Sequence, residues 1–147
     1  MRTEFQIRPL SENDRPAWEK LAQGYKAFYQ SPASPEEYEA AWQRILQAEG
    51  LHGIGLWHQG ELVGIAHYLF HQSTWASTVC YLQDMFVLPS HRGHGAGRAL
   101  IEAVREHAKA SGAARYYWLT QEGNVVARGL YEQVAKFSGF IRYDCAL

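Results

Sequence analysis

Hydrophobic and polar positions along this chain follow two different periods, and the changeovers mark its elements. Phe5, Ile7 and Pro9 alternate with polar neighbours, the pattern of a half-buried strand. From about residue 13 to 29 the apolar positions Trp18, Leu21, Ala22, Tyr25, Phe28 and Tyr29 fall at helical spacing. A loop follows at Gln30-Ser31-Pro32-Ala33-Ser34-Pro35. There Ser34 reads as an N-cap, Pro35 as a first-turn proline, and Glu36 and Glu37 as acids at the positive end of a helix dipole. That second helix runs to about Glu49 and stops at Gly50. Two strand-like runs, 53–58 and 62–70, meet at Gln59-Gly60-Glu61, a hairpin signal. A third run, 78–88, ends at Pro89, which has no N–H to give a sheet ladder.

Beyond Pro89 the period turns helical: Leu100, Ala103, Val104 and His107 recur on one face, and Gly112 closes that helix. Residues 114–120 read as a strand. Asn124 caps a further helix with Ala127, Leu130, Tyr131, Val134 and Phe137 on one face, stopped by Gly139, and 140–145 reads as a last strand. The order β-α-α-β-β-β-α-β-α-β predicts an α/β fold, a mixed sheet with helices on both faces. Its strand–helix–strand unit, 78–120, requires two parallel strands and a right-handed crossover.

Composition narrows the function classes. A chain of 147 residues fits one domain, 1–147, with 47% apolar and 14% aromatic residues to fill a core. The formal net charge is −1 with acids and bases interspersed, so neither a nucleic-acid partner nor an acidic tail is indicated. The start, Met1-Arg2-Thr3-Glu4, carries no signal-peptide pattern and no apolar run is long enough to span a membrane. A cytoplasmic protein without a membrane partner is expected. Cys80 and Cys145 both lie in apolar strand-like runs, where buried free thiols are expected; a single bridge between them is the alternative.

The most informative stretch is Val87-Leu88-Pro89-Ser90-His91-Arg92-Gly93-His94-Gly95-Ala96-Gly97-Arg98, between a strand end and a helix start. Alternating glycines allow tight turning and close ligand approach. The following helix offers unpaired N–H groups at its positive end, a geometry suited to a pyrophosphate, and Arg92 and Arg98 can add charge. The loop lacks the Gly-Lys-Ser/Thr ending of a P-loop and the spacing of the dinucleotide fingerprint. A glycine-rich connector without a ligand is the plain alternative.

These residues carry a resemblance. Arg92-Gly93-His94-Gly95-Ala96-Gly97 resembles the Arg/Gln-x-x-Gly-x-Gly/Ala signature of the GNAT N-acetyltransferases, preceded by a strand ending in Val-x-Pro. Asn124, Ala127, Leu130 and Tyr131 are similar to the family's Asn-x-x-Ala-x-x-x-Tyr helix, and Gly139-Phe140 to the pair that follows it. The likeness covers residue 62 to the C-terminus. The stretches 118–131 and 140–143 particularly resemble the small histone- and polyamine-directed branch.

The resemblance implies a GNAT fold and acetyl transfer from acetyl-CoA, as co-substrate, to an amine of a small molecule or a lysine-containing peptide. It places acetyl-CoA where the strands 78–88 and 114–120 splay apart. Backbone groups near Phe86 and Val87 would pair with the pantetheine arm, the amides of Arg92, Gly93, His94, Gly95, Ala96, Gly97 and Arg98 would hold the pyrophosphate, and Asn124 would contact the cofactor. Tyr131 matches the family's general-acid tyrosine, which protonates the coenzyme A sulfur; by periodicity alone it is a core aromatic. Some relatives carry Glu-Asp in the strand before the loop, where this chain has Gln83-Asp84. Asp84 can orient an ammonium group or receive its proton, or it is a solvent-facing residue or an ordinary ion pair. No metal is implied, and a homodimer is common in such families.

Other candidates read more simply. His67 and His71 are four apart, but on a strand and without an acid or Cys to complete a metal set. His91 and His94 flank the loop as polar residues within reach of a phosphate. Trp18, Tyr25, Phe28, Tyr29, Tyr38 and Trp42 are expected to pack in the core, with one or two lining an acceptor pocket. No Gly-x-Ser-x-Gly elbow supports a hydrolase. Two further functional readings stand beside the enzyme: a non-catalytic acetyl-CoA sensor of the same fold, favoured by the missing glutamate, and a different nucleotide-binding α/β domain.

Overall fold

The computed structural model describes residues 4–147. Five strands, β1 (Gln6–Pro9), β2 (Leu51–His58), β3 (Glu61–His71), β4 (Val79–Val87) and β5 (Tyr116–Trp118), lie side by side in chain order. The first four are antiparallel and β5 runs parallel to β4, as the expected strand–helix–strand unit demands. The helix of that unit is α3 (Ala96–Ala110). The β2–β3 hairpin closes at the pair His58–Glu61 over Gln59 and Gly60, with φ of 51° and 81°. Positive φ at both central residues matches the right-handed twist of the flanking strands.

Each sheet face has its own core. Against one face, α1 (Arg15–Phe28) and α2 (Pro35–Gln47) bury Trp18, Leu21, Ala22, Trp42 and Ile45 on Leu62, Ile65 and Phe86. Against the other, α3 buries Leu100, Ile101, Val104 and Ala108 on Ile54, Leu56, Val63, Ala66, Cys80 and Leu82. A side chain of this size, fully buried, contributes about 1.5–3 kcal/mol. The last helix, α4 (Val125–Val134), joins that second face through Leu130, Tyr131 and Val134. Ser34 caps α2 as expected: its hydroxyl accepts from the Glu37 N–H at 3.2 Å and Glu37 accepts from the Ser34 N–H at 3.3 Å.

Three expectations fail towards the C-terminus. No strand forms at 140–145: Phe140, Ile141 and Tyr143 are exposed and the segment pairs with nothing among the described residues. Alternating apolar residues satisfy a strand's side chains, but its backbone needs a partner edge, which local pattern does not supply. The helix expected to reach Phe137 ends at Val134, because Ala135 is extended with φ −151°, and Phe137 lies exposed beneath the Arg128 guanidinium. Both cysteines are free, but Cys145, lost with its strand, is exposed; only Cys80 is buried.

One local irregularity positions the site. In the β3–β4 register His67 faces Asp84 while Tyr68 faces Leu82, so Gln83 is an extra residue and β4 bulges there. Cys80 and Leu82 point into the α3-side core, and strict alternation would send Asp84 the same way. The bulge resets the parity. Phe86 then joins the α1-side core and Asp84 lies on that face, beside His67.

Candidate active site

β5 pairs with β4 only at Cys80–Tyr116, Tyr81–Tyr117 and Leu82–Trp118. Beyond Leu82, β4 continues to Val87 with β3 on one side and, among the described residues, no strand on the other. The unpaired edge spans residues 83–87 and faces a gap bounded by the end of β5 and the start of α4. Phe86 offers this edge only its backbone, since its ring is buried under α1. Gly24 of α1 lies so close to that ring that an added Cβ would sit 2.7 Å from it. A side chain at position 24 would therefore force either the Phe86 ring or α1 to shift.

The strand runs into a 3-10 turn, Pro89–His91, and then into the glycine loop. Gly93 and Gly95 take φ of +80° and +88°, the left-handed region that favours glycine. The Arg92 N–H, expected among the free amides, instead turns back to Pro89 O at 3.4 Å, and the next N–H to find an acceptor is that of Ala99, on Gly95 O at 2.9 Å. The N–H groups from Gly93 to Arg98 have no partner among the described residues, and no side chain caps α3. Donors in series at the positive end of a long helix form an anion cradle.

The two arginines are placed differently from the expectation that they add charge to this cradle. Arg92 donates from Nε to Val87 O at 3.0 Å and lies over the Phe86 ring, while Arg98 donates to the Gln133 amide oxygen on α4. Both brace the loop. Gly97 serves packing, because an added Cβ would lie 3.3 Å from Leu130 of α4. His91 bonds with the Ser90 hydroxyl at 2.8 Å, and His94 is exposed.

Asp84 stands at the other side of the splay, at the end of a hydrogen-bonded chain. Its Oδ2 lies 3.0 Å from Nδ1 of His67, whose Nε2 lies 2.9 Å from the indole Nε1 of Trp18. Burial works against the Asp84 charge, yet hydrogen bonding from His67, with Tyr25 and Lys26 adding to it, holds its pKa below the usual carboxylate value. Asp84 is therefore an anion at neutral pH. The stripe of α1 that buries Trp18, Leu21 and Ala22 continues outward as Tyr25 and Tyr29, whose rings pack at 4.8 Å. Burial and then the Asp84 charge raise the pKa of Tyr25, so it stays a neutral hydroxyl beside the carboxylate. Tyr81 stacks on Tyr117 at 4.9 Å, and the Tyr117 hydroxyl meets His71 Nε2 at 3.0 Å, completing an aromatic wall.

Tyr131 comes from α4 and packs edge-on against Trp118 at 5.4 Å. Burial, then the neighbouring Tyr29, raises its pKa, so it holds its proton at neutral pH. Among the described residues no buried side-chain polar atom lacks a partner, and the Tyr131 hydroxyl has none, so it is not sealed in the core. Tyr29 is the link across the splay, close enough to feel the Asp84 charge and to raise the pKa of Tyr131. Asn124 occupies the N-cap position of α4 but does not cap it; its Nδ2 donates to Thr120 Oγ1 at 3.1 Å.

The glycine loop continues directly from the free edge of β4, Asp84 lies on the α1 face of that strand, Tyr131 lies against β5 at Trp118, and Asn124 starts α4. Sequence reading missed the Trp18–His67 pair and weighed His67 only as a metal ligand. The available signal was an ionisable residue inside the apolar run of β3, where a buried polar group requires partners. Among the described residues no cluster of His, Cys, Asp or Glu is suited to hold a metal, and no helix is long and apolar enough to cross a membrane.

Residues 18–137 match the model of the acetyltransferase (GNAT) family. The chain belongs to that family. It is an N-acetyltransferase, and the fold and enzyme class expected from the loop and the Tyr131 helix hold. The D-amino-acid N-acetyltransferase HPA3 of Saccharomyces cerevisiae is 31% identical, over 88% of this chain and 83% of the relative. Among solved structures, a ribosomal-protein-alanine N-acetyltransferase from Brucella melitensis biovar Abortus 2308 superposes with a TM-score of 0.84 at 21% identity, covering 98% of this chain and all of that one, 100%. The aminoglycoside N-acetyltransferase AAC(6')-Iy in complex with CoA gives a TM-score of 0.81 at 22% identity, covering 99% and 98%. At such identities the two structures speak for the fold alone.

Proposed function

We propose that this enzyme transfers the acetyl group of acetyl-CoA to a primary amine, on a small molecule or a protein lysine, in the gap between β4 and β5. The observation that carries the reading is the run of unpartnered N–H groups from Gly93 to Arg98, continuous with the unpaired edge of β4. Anion-binding amides followed by an extended, unpaired backbone suit a ligand with a pyrophosphate and an amide-bearing arm. In this reading the amides of the loop hold the pyrophosphate, and Phe86 and Val87 pair their backbone with the arm. Because Arg92 occupies the Val87 carbonyl, pairing there falls to the remaining groups of the edge or displaces Arg92. Asn124 lies beside the arm's exit.

An alkyl amine has an ordinary pKa of about 10.4 and arrives as ammonium. Asp84, ionised and on the α1 face, binds that cation against the wall of Tyr25, Tyr29 and Tyr81. After the amine loses a proton, its nitrogen attacks the thioester carbonyl; the C–N bond forms, the nitrogen gives up a second proton to water and the C–S bond breaks. Tyr131, held protonated, donates its O–H proton to the departing sulfur and is reprotonated from solvent. Gln83, exposed on the bulge, supplies no carboxylate, so Asp84 holds the ammonium and its proton passes to water. The relatives named above act on different amines around one fold, and the acceptor is set by the walls of α1 and β5.

Calorimetric titration with acetyl-CoA, NAD and ATP tests the donor half of the reading. Binding of acetyl-CoA without binding of NAD or ATP is expected. Preference for either nucleotide would overturn it.

A further inference from the structure

The chain from Trp18 through His67 to Asp84 has a direction. An indole N–H only donates, so the His67 Nε2 that faces it at 2.9 Å carries a lone pair. The proton of the neutral imidazole is then on Nδ1, donating to Asp84 Oδ2 at 3.0 Å. Trp18 and His67 are 1% and 8% exposed, and His67 is the only polar or charged residue in the buried core among the described residues. A relay that passes protons through an imidazole needs its far nitrogen to reach an acceptor or water. Here the far nitrogen is closed by a buried donor.

We propose that Trp18 and His67 form a positioning element for the acceptor amine: they fix the neutral tautomer that orients the Asp84 carboxylate and bar proton transfer inward. Asp84 is thereby a fixed anchor for the ammonium form of the acceptor, and the proton lost by the amine leaves on the solvent side. This rests on the reading of Asp84 as the acceptor-binding group. Oδ2 is engaged by His67, which leaves the other oxygen and the remaining lone pairs for the cation. The groups facing Asp84 are His67 from β3, Tyr25, Lys26 and Tyr29 from α1, and Tyr81 from β4. The group facing His67 from α1 is the uncharged Trp18.

The first test needs no acceptor. Nitrogen-15 NMR of the His67 ring in the intact protein at pH 7 should show a proton on Nδ1 and a lone pair on Nε2. Trp18→Phe keeps a ring but removes the donor, and should let the proton distribute over both ring nitrogens. A wild-type Nε2 carrying the proton at pH 7, or a Trp18→Phe ring with the same fixed Nδ1 proton as wild type, would overturn the proposal.

The second test is kinetic. His67→Phe should raise the acceptor KM about tenfold or more, and move the acid limb of its kcat/KM profile up by about one pH unit, as a charge-assisted bond to Asp84 is lost. Acetyl-CoA affinity should stay within about threefold of wild type, a difference well below the tenfold step of 1.4 kcal/mol. His67→Asn places an N–H where Nδ1 was and should restore most of the acceptor KM, which a purely packing role would not allow. Should His67→Phe fail to fold with Trp18 left unpaired, Trp18→Phe combined with His67→Phe leaves no orphan buried donor and reads the same quantities. An unmoved acceptor KM and acid limb in these variants would refute the proposal. If no amine is acetylated at all, the acetyl-transfer reading fails, while the NMR result still decides the tautomer.

Discussion

Gly95 and Gly112 stand at opposite ends of α3 and make a matched pair. Their φ values are +88° and +74°, and an added Cβ meets nothing within 4 Å at either. Alanine in the left-handed region costs about 1–2 kcal/mol, offset by about 0.4–1 kcal/mol from the less free unfolded chain, leaving about 1 kcal/mol of destabilisation. With an unfolding entropy of about 2.1 cal/mol/K per residue, 147 residues give about 0.3 kcal/mol/K, so either variant should melt about 3 °C lower. Their effects on ligand binding should diverge. Relaxing Gly95 re-aims the unpartnered amides around it, which in the proposed reading hold the pyrophosphate. Acetyl-CoA affinity should fall about tenfold or more in Gly95→Ala, about 1.4 kcal/mol, and stay at wild type in Gly112→Ala. Differential scanning calorimetry and isothermal titration of the same samples measure both quantities. Unchanged affinity in Gly95→Ala, or equal losses in the two variants, would show that the loop amides do not hold the donor.

Asp84→Asn keeps the shape and the acceptor atom for His67 but removes the charge; losing a charged hydrogen bond of about 1.5–3 kcal/mol should raise the acceptor KM roughly 10- to 100-fold. Acetyl-CoA KM, read in the same initial-rate experiment, should hardly move. Burial lifts the Cys80 thiol to about 11 while Cys145 is exposed, so a thiol reagent on the native protein should add one label, lost in Cys145→Ser. The Arg8 hydrogen bond, with a smaller contribution from Ser11, holds Asp14 at about 2 against an ordinary 3.8. A lowered folded-state value means the stabilisation is complete above about pH 4 and fades as pH falls toward 2. Arg8→Ala should therefore lower the melting temperature at pH 6 but hardly at pH 2, and equal losses at both would contradict the pairing.

The elements that carry a strong period were legible in the sequence. The stripe Trp18-Leu21-Ala22 set α1, the Gln59-Gly60 turn set the hairpin, and the glycines after Pro89 set the loop at the start of α3. Each signal is local, held within a few residues. The parts of the site that escaped are those fixed by distant partners. The Gln83 bulge exists only in register against β3, so no local feature of residues 79–87 announces that Asp84 turns to the α1 face. Trp18 and His67 are 49 positions apart, and only the fold brings indole to imidazole. The same limit produced the error at Phe140 to Cys145, where alternation is present but a neighbouring strand is not. Arg92 illustrates a different loss: its charge was visible, whereas its bond to Val87 depends on how the loop folds back.

The most direct test of acetyl transfer is coenzyme A release from acetyl-CoA, followed across polyamines, free amino acids, aminoglycosides and lysine peptides for wild type and Tyr131→Phe. Amine-dependent release is expected, with kcat reduced about 10²- to 10⁴-fold in the variant, the usual range for loss of a general acid. Tight binding of acetyl-CoA with no release for any amine would contradict turnover at this site, and equal rates in the two proteins would remove Tyr131 from it.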